Sequence, residues 1–270
     1  MMALLEAPHT MYQCEDPMLE TEGYFWRSST ERLAKYITDK YQLNPTSSCI
    51  VFDALNVIEQ FYRTRKSITC SGHTIDVTSS PILAEEGRVL LRLAINERVQ
   101  HTLEVGFGFG MSTCHLLTAH EVTGGLEHLA IDPLEQSKYY QGCGLMNVFQ
   151  ARLGSRFLWI KEPSNIALPR LLSSRNQFDF CFIDGSHIFG DIFVDSYYIN
   201  FLLGYGRVLV LHDAWLSATQ TVRNILITNF GFREEPDSSV PNLVILRKVG
   251  EGKLDWKEFS TQFEPFKVSG

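Results

Sequence analysis

The sequence predicts an α/β protein: a doubly wound parallel sheet in the second part of the chain, after a mostly helical cap. Three observations carry this. From about residue 100 short apolar runs alternate with helix-like segments, the pattern of βαβ units. Phe178–Ile183 and Arg207–Leu211 are near-continuous apolar runs, as strands covered on both faces should be. The first run, Thr102–Val105, ends in a glycine-rich turn followed by a helix-like segment.

The elements follow in order. Thr30–Tyr41 places Leu33, Tyr36 and Ile37 on one helical face, and Cys49–Tyr62 is a second helix. Ser67–Ser80 is polar and reads as strand-poor, with a turn at Gly72. Ser80-Pro81 opens a helix that runs through Asn96, with Pro81 in its first turn. Then come strand Thr102–Val105, helix Ser112–Ala119, strand Leu129–Ile131 and strand Arg156–Ile160. Strand Phe178–Ile183, helix Ile188–Leu203 and strand Arg207–Leu211 continue the alternation. Helix Ala218–Asn229 stops before Gly231, and Asn242–Lys248 supplies a final strand. The implied organisation is an N-terminal cap and substrate region over 1–80, a central domain over 81–250 and a tail over 251–270. The tail carries Trp256, Phe259, Phe263 and Phe266 and either docks on the body or forms a homodimer contact.

Composition narrows the function. The 270 residues hold 24 Lys plus Arg against 31 Asp plus Glu, a formal charge of -7. No basic run suits a nucleic acid; Arg63-Thr64-Arg65-Lys66 is too short. The six cysteines form no C-x-x-C pair and no zinc spacing, which points to a reducing compartment. Phe201–Leu211 is far too short and too interrupted to span a bilayer, and no signal-peptide pattern opens the chain. A cytoplasmic protein without nucleic-acid or membrane partners is expected.

The chemistry concentrates at strand ends. In Leu103-Glu104-Val105-Gly106-Phe107-Gly108-Phe109-Gly110 the glycines permit positive φ and close ligand approach. Unpaired N–H groups at the start of the next helix are free to meet a ligand. The dinucleotide fingerprint G-x-G-x-x-G is not met, because the third glycine comes one residue early and Met111 takes its slot. Glu104 sits in an apolar strand end and needs a partner, since an unpaired buried charge is costly. A cationic ligand suits it; the pyrophosphate of NAD does not. Asp132, before Pro133, closes the next strand, where an acid either accepts from ribose hydroxyls or caps a turn. Asp184-Gly185-Ser186-His187 and His212-Asp213 close two further strands that would lie side by side.

Together these motifs resemble class I methyltransferases that use S-adenosylmethionine. The resemblance covers roughly residues 80–248 and is closest to small-molecule O-methyltransferases of the catechol and macrolide-sugar kind. It implies a Rossmann-like, seven-stranded sheet whose last strand is antiparallel. It also implies a cofactor held by Glu104, Gly106, Phe107, Gly108, Gly110 and Ser112, by Asp132 and Pro133, by Glu162 and Ser164 beside the adenine, and by Asp184. His187 takes the place of the base that deprotonates the acceptor hydroxyl, with Asp184 as a second catalytic residue. Asp184, His212 and Asp213 stand where metal-dependent relatives bind a divalent ion. His212 departs from that pattern, because Mg²⁺ prefers oxygen ligands. Another metal, no metal, or a His212 turned away all stay open. Asp213 and Ser164 or Asn165 are also helix caps by residue type. Tyr24-Phe25-Trp26, Tyr139-Tyr140 and Trp215 are candidate acceptor walls, although core packing is the commoner role of such residues. The remaining histidines (His9, His73, His101, His115, His120, His128) show no recognisable partner. The expected reaction is methyl transfer to a hydroxyl of a small molecule such as a natural-product intermediate. The same fold also serves N- or carboxyl methylation, or cofactor binding without catalysis.

Overall fold

The computed structural model describes residues 30–77, 81–174, 176–237 and 239–253. Two helices come first, α1 (Thr30–Tyr41) and α2 (Pro45–Thr64). Asn44 starts α2 by accepting the Ser47 N–H at 2.9 Å. Ala34 and Ile37 of α1 pack on Val51 and Leu55 of α2, and this cluster closes on Val122 of a later helix. Ser67–Ser80 is not strand-poor. It contains a hairpin, β1 (Lys66–Ile68) and β2 (Thr74–Asp76), turning near Gly72 at φ 85°. Three-residue strands are too short to show a period of two.

Helix α3 (Ala84–Asn96) starts three residues later than Pro81 suggests. The side chain of Glu86 accepts the Leu83 N–H at 2.6 Å, which fixes the first turn there. The rest is β3 (His101–Val105), α4 (Met111–Thr123), β4 (Glu127–Ile131), α5 (Cys143–Gln150), β5 (Phe157–Ile160), α6 (Ser164–Ser173), β6 (Phe178–Ile183), α7 (Phe189–Leu202), β7 (Leu203–Leu211), α8 (Ser217–Asn229), β8 (Phe232–Glu234) and β9 (Val244–Lys248). Helix α4 is bounded by Gly110 and Gly124, both near φ 72°, one on each side. Helices α5 and α6 and strand β8 lacked a clear sequence signal, because each is short and carries mixed residues.

The seven long-range strands form one sheet in the order β5-β4-β3-β6-β7-β9-β8. All neighbours are parallel except β9, the last strand, which runs antiparallel to both β7 and β8. Strand alternation sends Phe180, Phe182, Val208 and Val210 to the face covered by α3 and α4. Leu103, Val105, Cys181, Ile183, Leu209 and Leu211 face α6, α7 and α8. Phe180 and Phe182 are fully buried, each worth about 3–5 kcal/mol against alanine. The chain winds outward from β3 through β4 to β5, then returns to β6 on the other side of β3. A crevice opens at such a reversal, outside the carboxyl ends of the strands.

Candidate cofactor and acceptor site

The backbone ladder continues one residue past each central strand. Gly106 N–H bonds to Ile131 O, Asp132 to Ile160 O, Asp184 to Val105 O and His212 to Ile183 O, all at 2.8–3.1 Å. Asp132, Asp184 and His212 are therefore fixed side by side where the chain leaves the sheet. The crevice above them encloses about 810 Å³, within the usual range for a small-ligand site.

The glycine loop lies against β6. Gly106 has φ 95°, and a Cβ there would stand 2.2 Å from Asp184 O, so only glycine fits. Gly110 is the N-cap of α4, packed against Gly144 rather than in the crevice lining. Asp132 organises the loop. Its Oδ2 accepts from Phe107 N at 2.9 Å and Gly108 N at 3.0 Å, and its Oδ1 accepts from Leu134 N at 2.6 Å. The N–H groups of Phe107 and Gly108 are thus used within the protein. Asp132 still lines the crevice, beside Pro133 and Ser112.

Glu104 departs from expectation. It is fully buried and does not line the crevice. Its carboxylate accepts from Ser112, Thr113 and His128 Nε2, the last at 3.1 Å. As the penultimate residue of β3, alternation turns it under the sheet towards α4, so its partners are internal. His128 Nδ1 and His120 Nε2 each lie 2.7 Å from Thr102 Oγ1, which extends this network. Burial pushes His120 down to about 3, and His115, bonded to Met111 O, down to about 4. These histidines have partners after all, brought together from three separate elements.

Glu162 pairs with Arg170 and does not line the crevice, whereas Ser164 and Asn165 do. The N-cap of α6 is Pro163, without a side-chain cap, so neither Ser164 nor Asn165 is spent there. Asp195 of α7, missed in the sequence, also lines the crevice. Its Oδ1 is buried with no partner among the described residues, and burial pushes the carboxyl up to about 6. Asn242 Oδ1 is a second such atom at the other end of the lining. Two unpartnered acceptors on residues of one lining fit a ligand that brings hydrogen-bond donors.

At that other end stands His212. Its Nδ1 lies 2.9 Å from Asp184 Oδ1, and its Nε2 lies 3.0 Å from Glu86 Oε2. Burial disfavours the imidazolium, but the bonds to Asp184 and Glu86 outweigh it and raise His212 to about 10. Glu86, also missed, sits in the first turn of α3. Burial pushes its carboxyl up, but the bonds from His212, Asn242 and Leu83 N–H dominate and hold it low. Asp184 stays above the usual range through burial, against the pull of His212.

His187 lies on the rim with its side chain 63% exposed, and its Nε2 is 2.7 Å from Asp213 Oδ2. Asp213 has φ 55°, a left-handed conformation that Asp tolerates better than most. That turn aims its carboxylate at His187 and, through Oδ1, at Trp215 Nε1 at 3.1 Å. It is no helix cap: α8 starts after Leu216. Trp215 and Tyr140 line the crevice; Tyr139 is not part of the lining and is exposed. The described residues 30–77 contribute nothing to the lining, which begins at Pro81. Tyr24-Phe25-Trp26 and the aromatic tail lie outside the described residues.

Asp184, His212 and Asp213 offer ligand atoms within 4.8 Å of one another, the spread of a metal cluster. In this arrangement both ring nitrogens of His212 face carboxylate oxygens, and Nε2 also lies 3.2 Å from the amide nitrogen of Asn242.

The strand order, the glycine loop and the strand-end acids define a doubly wound fold with its ligand crevice at the switch point. Residues 103–214 match the methyltransferase domain family. No curated protein matches the chain in sequence. Among solved structures, the chain resembles the O-methyltransferase of Bacillus cereus in complex with SAH, at 14% identity and a TM-score of 0.55, over 82% of this chain and 100% of that one. It also resembles TomG of Streptomyces achromogenes, an O-methyltransferase involved in tomaymycin synthesis, in complex with SAM, at 16% identity and 0.56, over 73% and 90%. A SAH-bound methyltransferase of Podospora anserina matches at 14% and 0.56, over 82% and 95%. The match to the methyltransferase domain model lies over residues 103–214, and the sheet order and its crevice have the Rossmann-like fold of these solved methyltransferases. No helix among the described residues is long and apolar enough to cross a membrane.

Proposed function

We propose that this enzyme methylates a hydroxyl group of a small molecule, with His187 as the base. The observation that carries this is the His187–Asp213 pair at the rim of the crevice. With Nε2–H donating to Asp213, Nδ1 keeps the lone pair that accepts a proton. Asp213 fixes the ring and stabilises the imidazolium that forms. S-adenosylmethionine, when bound, supplies an activated methyl group on a sulfonium that needs no help to leave. The crevice residues therefore have two tasks, to align the acceptor oxygen and to remove its proton.

Gly106, Phe107 and Gly108, with Asp132 behind them, form the floor on which the cofactor would lie. Ser164, Asn165 and Asp195 stand at one end, where the buried Asp195 Oδ1 suits a donor such as an amino group. Glu104 acts through the loop, by holding Ser112 and Thr113 at the start of α4. Among the described residues no Lys or Arg lines the crevice, whereas Glu86, Asp132, Asp184, Asp191, Asp195 and Asp213 do. Such a crevice suits a neutral or cationic acceptor and disfavours phosphates, carboxylates and nucleic acid. Neutral natural-product intermediates bearing a hydroxyl are the class to assay first. The assay is transfer of radiolabelled methyl from S-adenosylmethionine to such acceptors by wild type and His187→Ala. A large loss in the variant is expected; an unchanged rate would discard His187 as base and favour an acceptor that needs none.

A further inference from the structure

Three carboxylates from three elements meet one imidazole. Glu86 comes from the first turn of α3, Asp184 from the end of β6 and Asp213 from the turn after β7. His212 Nδ1 is 2.9 Å from Asp184 Oδ1 and 3.5 Å from Asp213 Oδ1, and Nε2 is 3.0 Å from Glu86 Oε2. The imidazole side chain is only 9% exposed and Glu86 2%. The nearest partner of each ring nitrogen is a carboxylate oxygen, with the Asn242 amide nitrogen farther from Nε2 at 3.2 Å, an arrangement in which both nitrogens donate and the ring is an imidazolium. Around it the polar atoms are largely used. Glu86 Oε1 accepts from Asn242 at 2.9 Å and Oε2 from Leu83 N, while Asp213 serves His187 and Trp215.

A cluster with this spread of ligand atoms suits a cation, yet ligation by His212 would require breaking a bond to Glu86 or Asp184. We infer that the His212 imidazolium is itself the resident cation of the Asp184–His212–Asp213 cluster, and that this site works without a divalent metal. The charge is built into the fold, because α3, β6 and β7 place the carboxylates that hold it. It offsets Asp184 and Asp213 beside the position where, on the reading proposed above, the acceptor oxygen loses its proton. A fixed positive charge there favours the developing negative oxygen without any cation uptake.

The test is Mn²⁺ binding to the full-length protein, read by electron paramagnetic resonance. Wild type is expected to bind no Mn²⁺ at this cluster tighter than ~1 mM. His212→Asp removes the cation and adds a carboxylate, and is expected to bind at least ~10-fold tighter through the added ligand charge. Wild-type binding that His212→Ala abolishes would overturn the inference. So would a folded His212→Asp that binds no better than wild type, since the cluster would then be no cation position. Nitrogen-15 NMR of histidine-labelled wild type needs no variant: both His212 nitrogens are expected to carry protons at pH 7, and one bare nitrogen would refute the charge assignment. Thermal stabilisation by S-adenosylhomocysteine, with and without EDTA, keeps the two readings apart. A shift that EDTA does not change is expected. No shift at all would remove the cofactor reading and leave the Mn²⁺ and NMR results to decide the charge. A shift abolished by EDTA would overturn the metal-free site.

Discussion

The molecule holds two histidine–carboxylate networks of similar composition, one sealed under the sheet and one in the lining of the crevice. One lies under the sheet: Glu104, His128, Thr102 and His120, all fully buried and outside the crevice. The other lies at the strand ends: Glu86, His212, Asp184, Asp213 and His187, all in the crevice lining. The difference is one or two positions along a strand. Glu104 is inside β3 and alternation buries it against α4. Asp184 and His212 come immediately after β6 and β7, where the chain turns over the edge of the sheet. An acid next to a glycine loop is thus a stability element or a site element according to its place in the pleat, not its type.

That contrast can be broken experimentally, and the largest effect is expected at the rim. His187→Ala should lower methyl transfer ~10²–10⁴-fold, as loss of a positioned base does. Its side chain is mostly exposed, so the denaturation midpoint should hardly move. Glu104→Ala should do the reverse. It strands His128 among buried groups and should cost about 3 kcal/mol in urea unfolding. Affinity for S-adenosylhomocysteine, measured calorimetrically on the folded fraction, should stay within a few-fold of wild type. A large loss of affinity with unchanged stability would return Glu104 to the ligand.

The third effect depends on pH. His212 titrates near 10 in the folded protein, above the ordinary value of 6.5. Its stabilisation is complete below about 6.5, falls as pH rises, and is gone above about 10. The stability gap between wild type and His212→Gln should follow that course in melts from pH 6 to 10. A gap that does not narrow would show that the charge is not what Glu86 and Asp184 hold. The smallest effect is at Glu135, a buried acid with no histidine. Burial raises it to about 8, helped by the charge of Asp132, although Leu145 N–H bonds its Oε1. A carboxyl raised in this way loses folding stability as pH climbs from about 4.5 to 8. Glu135→Gln should therefore be more stable than wild type at pH 8–9, by a margin that grows as pH rises, and the two should converge near pH 5.

Much of the fold was legible in the sequence. Phe178–Ile183 and Thr30–Tyr41 stand with the boundaries the apolar pattern gives them, and Gly110 and Gly124 bracket α4 as glycines do. Strand-end acids after apolar runs marked Asp132, Asp184 and Asp213 as neighbours of one crevice, and that follows from parallel strands alone. Glu86 and Asn242 were not legible. They lie more than 120 residues apart from one another in sequence and join His212 only when α3 and the turn before β9 close over the sheet edge. Asp195 sits on a helix whose other residues are mostly apolar or aromatic, so nothing in the spacing separates it from a solvated position.

The sequence by itself determined the alternation of the central strands with their main helices, the glycine loop and the set of acids at strand ends. These depend on local periodicity and on backbone conformations that few residues allow. Only the tertiary structure decided that Glu104 turns inward, that Asp132 ties the loop, and that His212 stands between Glu86 and Asp184. Those outcomes depend on which groups meet across the sheet, and a hydrogen bond between distant segments leaves no trace in the residues on either side of it.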